Sequence, residues 1–179
     1  MAKLILGITG SIAAFKGAAL ASTLVKAGHD VHAVLTTNAC RFITPLTFQA
    51  ITSNRATVDM FDSAANYDPS HVALARGAQL LVIAPASANI LAKMAAGIAD
   101  DMLSTTFLSV DCPVLAAPAM HANMYANAAV RENIRLLSSR GVRFVGPGEG
   151  RLASGDTGPG RMSEPAEIAA EIEKILGEG

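Results

Sequence analysis

Apolar positions along this chain alternate between two rhythms. Short runs rich in Val, Ile and Leu occupy residues 3–8, 31–35, 80–84, 114–117 and 142–145, the form taken by strands buried on both faces. Between them lie longer segments, 12–27, 45–52, 71–76, 88–95, 100–109, 126–140 and 165–176, in which apolar residues recur at helical spacing. The alternation predicts an α/β fold, a parallel sheet covered by helices on both faces. Gly28 and Gly141 stand where helix C-termini are expected. Two stretches break the rhythm. Residues 54–70 are polar and interrupted, and residues 146–163 carry six Gly and two Pro. Loops of that length in a compact domain are usually functional or mobile.

Composition narrows the picture. At 179 residues the chain is expected to form one domain, 1–179, around a single core. Residues AVILMFWYC make up 51% and charged residues 16%, against about 25% in an ordinary globular domain. The apolar excess is small: 34 residues are Ala, Trp is absent and aromatics are 4%. Such a surface is short of polar cover for a monomer and suits subunit contacts. The longest apolar runs, 80–86 and 114–120, fall short of the roughly 18 residues a membrane span needs, so no membrane partner is expected. The start resembles a first strand rather than a signal peptide. A net charge of -1 without a basic run argues against nucleic acid. Cys40 and Cys112 lack CxxC spacing and are read as reduced thiols of a cytoplasmic protein.

Candidate chemistry gathers where strands end. Gly7-Ile8-Thr9-Gly10-Ser11-Ile12 closes the first strand and opens the first helix, offering backbone N–H groups and a hydroxyl at a positive helix end. Either a phosphate or plain close packing accounts for it, since it matches neither GxGxxG nor a Walker sequence. The second strand ends in Thr36-Thr37-Asn38-Ala39, with no acidic residue to read a ribose diol, which favours a mononucleotide phosphate over a dinucleotide. The third ends in Pro85-Ala86-Ser87-Ala88-Asn89, either room for a flat ring or a turn with Ser87 as helix cap, the latter slightly favoured. The fourth ends in Pro118-Ala119-Met120-His121-Ala122-Asn123-Met124-Tyr125, adding an imidazole and two thioethers. His71 opens a helix after the polar stretch; taken alone, such a histidine is more often structural than catalytic. His29 and His32 lie away from this edge and are read as structural. With no third ligand near His71 and His121, no metal is expected.

Taken together these segments resemble the homo-oligomeric flavin-containing cysteine decarboxylases. The resemblance rests on Gly7 through Ala14, Ser70-His71, Pro85 through Asn89 with Lys93, Gly97-Ile98-Ala99-Asp100-Asp101, Pro118-Ala119-Met120 with Met124, and Gly155 through Met162. It implies a Rossmann-like, flavodoxin-like domain and FMN-dependent oxidative decarboxylation of a cysteinyl carboxylate. In that scheme the cysteine is oxidised to a thioaldehyde whose C=S accepts the electrons released with CO2, leaving an enethiol. By position, Gly10, Ser11 and Thr37 would hold the FMN phosphate and ribityl chain, and Ser87, Ala88, Asn89 and Ala119 the flavin. Met120, Met124, Gly155, Arg161 and Met162 would contact substrate. His71 would act as base near the thiol, and residues 150–162 would form a flap over the substrate. Family members form trimers, some grouped into dodecamers, with FMN between subunits and His71 reaching across the interface.

Two positions depart from the family pattern. His121 replaces an asparagine that binds the substrate carboxylate, and an imidazole can donate the same hydrogen bond. Ser154 replaces the flap cysteine that serves as proton donor when the enethiol is reduced, and a hydroxyl is far less acidic than a thiol with pKa about 8.5. Three functions follow. The first is decarboxylation of 4'-phosphopantothenoylcysteine to 4'-phosphopantetheine. The second is decarboxylation of a peptidyl cysteine to a C-terminal aminoenethiol, which needs no reducing cysteine. The third is an FMN-binding regulatory subunit without turnover. Flavin prenyl transfer is disfavoured because the Ser-Met-Lys-Thr stretch of those enzymes is absent at residues 87–90.

Overall fold

The computed structural model describes residues 1–61, 70–151, 155 and 157–178. Its main sheet has five parallel strands. Central β1 (Lys3–Ile8) lies between β2 (Asp30–Leu35) and β3 (Leu80–Ala86), with β4 (Val114–Pro118) and the two-residue β5 (Arg143–Phe144) beyond β3. The order β2-β1-β3-β4-β5 is the flavodoxin-like order, whose direction of winding reverses between β1 and β3 and leaves a crevice at their carboxyl ends. All five strands lie within a residue or two of their expected positions.

Side-chain alternation sorts the core into two layers. Leu4, Leu6 and Ile8 face one side with α1 (Ala14–Lys26), α2 (Pro45–Thr52) and α8 (Pro165–Gly177). Ile5, Leu81 and Ile83 face the other with α4 (Ala88–Ala96), α5 (Met102–Ser109) and α7 (Ala128–Ser139). Each fully buried Leu or Ile contributes about 1.5–3 kcal/mol. Helix α1 lies close on the sheet because residue 17 is Gly: a Cβ there would stand 2.9 Å from the Ala84 carbonyl oxygen. The short α3 (Ser70–Ala75) leads into β3, and Lys3 Nζ fastens its end by donating to the Arg76 carbonyl at 2.7 Å.

Two expectations are corrected. The helix expected over 126–140 is α7, and the turn expected after the fourth strand holds a further short helix, α6 (Ala122–Ala126), separated from α7 because Asn127 adopts an extended conformation and its side chain accepts from Ala129 N at 2.9 Å, starting a new helix. The glycine-rich 146–163 stretch contains an antiparallel ribbon, β6 (Gly148–Arg151) with β7 (Thr157–Arg161). Glycine has little intrinsic strand preference, so the ribbon depends on tertiary anchoring. Met120 N donates to Gly160 O at 3.0 Å, and Gly160 packs on the Met120 carbonyl where a Cβ would overlap it. Within the polar stretch, Thr57 bridges the outer edge of β2, accepting from Leu35 N and donating to Ala33 O, both at 2.9 Å.

Candidate active site

Two adjoining clefts open at the carboxyl edge of the sheet. The larger, about 640 Å³, runs from the start of α1 past the Ala119–Met124 turn to the ribbon. The smaller, about 390 Å³, runs from the end of β2 past the start of α4 to Asp101. Gly10, Ser87, Ala88 and Met124 line both, so the two form one trough. Its floor is stitched by Thr9, a buried hydroxyl that donates to Pro85 O at 2.6 Å and accepts from Ser87 N at 3.0 Å, tying the ends of β1 and β3 together.

Most of the expected site residues meet here. Gly10, Ser11, Ser87, Ala88, Ala119, Met120, His121, Met124, Arg161 and Met162 line the larger cleft, and Thr37 and Asn89 the smaller. His71, half-buried on α3, lines neither cleft. Gly155 is exposed with φ +94 and also lies outside both linings, and Ser154 lies outside the described residues. Ser87 does cap α4, accepting from Ile90 N at 3.4 Å, so its capping and lining roles coexist.

Helix α1 starts in the trough without a side-chain cap: its N-cap residue is Ala13, and Ser11 Oγ accepts from Ala13 N at 3.2 Å. The Ala14 and Lys16 N–H groups are taken by Ser11 O and Ala13 O, so the start of α1 offers an anion its positive helix end, and Thr36 and Thr37 line the adjoining smaller cleft. The small side chains of Ala88 and Ala119 leave space for a planar ring. A phosphorylated flat ligand therefore fits the residues present.

His121 is the N-cap of α6, and its Nδ1 accepts from Asn123 N at 3.2 Å. That bond needs Nδ1 unprotonated, so the neutral ring carries its proton on Nε2 and is a hydrogen-bond donor there.

Sequence reasoning missed Phe15 and Lys16 in the larger cleft. Lys16 shares a helical face with buried Leu20 and Leu24, a charge on an apolar stripe that spacing alone reveals. It also left Lys93, Asp100 and Asp101 without a role. Lys93 Nζ lies 2.6 Å from both carboxylates. Burial works against the Lys93 charge, but hydrogen bonds to Asp100 and Asp101 outweigh it and hold the ammonium above the usual lysine range. Burial likewise opposes ionisation of Asp101, yet Lys93 and the Ser104 bonds hold its carboxyl below the usual range. Asp101 caps α5 in a capping box with Ser104. Asp101→Ala should lower unfolding free energy by about 1–2 kcal/mol in urea titrations near neutral pH. Because the folded carboxyl titrates below its unfolded value of about 3.9, the difference from wild type is full above that value. It closes as pH falls through the depressed folded range.

Among the described residues no three His, Cys, Asp or Glu side chains group as a metal site, and no helix is long and apolar enough to cross a membrane. Cys40 and Cys112 are unpaired, and burial pushes both thiols up.

Comparison with known proteins places this architecture. Residues 1–177 match the Flavoprotein family. The chain belongs to that family. This flavoprotein is 45% identical over 174 residues to the coenzyme A biosynthesis bifunctional protein CoaBC of Vibrio vulnificus, covering 97% of this chain and 43% of that one. It thus spans less than half of that relative. Among solved structures it is similar to a PPC decarboxylase variant complexed with pantothenoylaminoethenethiol, at 31% identity and TM-score 0.88, covering 99% of both chains. It is also similar to the FMN-dependent cysteine decarboxylase SpaF, at 31% identity and TM-score 0.84, covering 99% of this flavoprotein and 97% of SpaF.

Proposed function

We propose that this flavoprotein is an FMN-dependent cysteine decarboxylase that converts 4'-phosphopantothenoylcysteine to 4'-phosphopantetheine in the cytoplasm. The observation that carries the reading is the trough itself, which brings twelve of the fifteen family-derived positions together in a chain 45% identical to a coenzyme A biosynthesis protein. FMN fits the positive start of α1 at its phosphate and the Ser87, Ala88 and Ala119 surface at its ring. Bound there, it would supply a reversible two-electron acceptor, so that the electrons taken up before CO2 leaves are returned and the overall conversion is redox-neutral. The chain's own residues bind and orient the substrate: His121 donates to the substrate carboxylate, while Met120, Met124 and Met162 line the cleft beside the cysteinyl thiol. The β6–β7 ribbon is the flap that excludes water. His71 of a neighbouring copy completes the site as the base that removes a substrate proton, so the working unit is a trimer, and the exposed Ile12, Phe15 and Met124 side chains supply apolar contact area near the cleft.

The second reading, peptidyl-cysteine decarboxylation, is favoured by Ser154 and by the likeness to SpaF. Purified yellow protein is incubated with 4'-phosphopantothenoylcysteine and, separately, with a cysteine-terminated peptide, and products are weighed by mass spectrometry. Loss of CO2 alone from the pantothenoyl substrate is the expected result. Loss of CO2 with two hydrogens from the peptide supports the second reading, and no change in either sinks both. Ser154→Cys should raise the proportion of fully reduced product; an unchanged ratio removes Ser154 from the proton-donor position.

A further inference from the structure

Lys16 is a buried charge on an otherwise apolar helix face, its side chain 10% exposed. Burial of an ammonium is costly unless it is paired and hydrogen-bonded. Its Nζ donates to Met162 O at 3.1 Å and pairs with Glu164 Oε1 at 2.9 Å, and Arg161 Nη2 reaches the same Glu164 oxygen at 2.6 Å. Those partners occupy the few residues between β7 and α8, where the ribbon's exit strand rejoins the body of the protein. One side of that strand is clamped by the Met120 N to Gly160 O bond. Lys16 clamps the continuation just beyond it, at Met162 and Glu164. Lys16 belongs to α1, whose start is the anion end of the trough, so a single ion pair ties the helix that opens at the cofactor end to the root of the flap. The Lys16 ammonium beside Glu164 also holds that carboxyl below the usual range.

We propose that Lys16 is a positioning residue that, through Met162 O and Glu164, fixes the root of the β6–β7 flap and so sets how often the flap opens. The assignment rests on the reading of the ribbon as a substrate flap. It involves no contact between Lys16 and the reacting atoms.

The test compares FMN-loaded wild type with Lys16→Met and Glu164→Gln under limited trypsin digestion, resolving each cut by mass. Cleavage of a transiently opened segment tracks the population of the open form, so cuts after Arg151 and Arg161 should accelerate about tenfold in both variants, with cuts elsewhere unchanged. With the substrate that is turned over, KM should rise more than kcat falls. Uniform acceleration at every site would mean general destabilisation and overturns the proposal, as do flap cuts at the wild-type rate in Glu164→Gln. Should Lys16→Met fail to fold by circular dichroism, Lys16→Gln takes its place, because Glu164→Gln also releases Arg161 from the same oxygen. Digestion needs no turnover, so a wild type that decarboxylates nothing would defeat the proposed function while leaving this result separately readable.

Discussion

His71→Asn lowers kcat by about 10²–10⁴-fold, the usual contribution of a positioned general base, while the protein stays yellow with undiminished FMN content. The two halves of this expectation follow from where the residue sits. His71 is on α3, and it lines neither cleft of its own chain, so its loss leaves the cofactor surface of Gly10, Ser87 and Ala119 untouched. A complementation experiment isolates the cross-subunit part. His71→Asn protein keeps a natural cleft, and His121→Ala protein keeps a natural His71. When equal amounts are dissociated and reassembled, a site is whole if its cleft comes from the first and its His71 from the second, which gives about a quarter of wild-type sites in closed rings. Activity no greater than the sum of the separate variants would place His71 within its own subunit or outside the reaction.

His121→Ala should cut kcat/KM by roughly 10–100-fold, the range for removing a hydrogen bond to a charged group. The orientation of the ring explains why asparagine should restore it. The cap bond from Asn123 N is accepted by Nδ1, which puts the proton of the neutral ring on Nε2. In His121→Asn the side-chain oxygen can take the cap bond and the NH2 can donate, so kcat/KM should return to within a few-fold of wild type. His121→Gln, one methylene longer, should not recover both contacts. A flat series across Ala, Asn and Gln, measured with the substrate that wild type consumes, would remove His121 from substrate binding.

The sheet was legible because its strands are buried on both sides and therefore read as continuous apolar runs. Helix ends were legible where their chemistry is local: Gly28 and Gly141 have φ of +90 and +91 and follow α1 and α7 as expected. What escaped depends on partners far along the chain. The β6–β7 ribbon is glycine-rich and is held by Met120, forty residues before Gly160. Asn127 ends one helix and begins another through a side-chain bond that no periodicity reports. The site followed the same division. Motifs at strand ends converged because parallel topology gathers those ends at one edge, whereas His71 stands on α3 and lines neither cleft. Lys16 was missed because a lysine in a helix is ordinarily solvated, and its burial is created by the strand exit that packs over it.

The short bridge at Thr57 has a consequence for how copies of this chain meet. A sheet edge with free N–H and C=O groups is a template for another strand. Here the outer edge of β2 is occupied at Ala33 and Leu35 by Thr57, and the opposite edge, β5, is only two residues long. Neither border offers a run long enough to template continuous strand addition. The borders of the main sheet are therefore closed to association by sheet growth, a process with no defined end point.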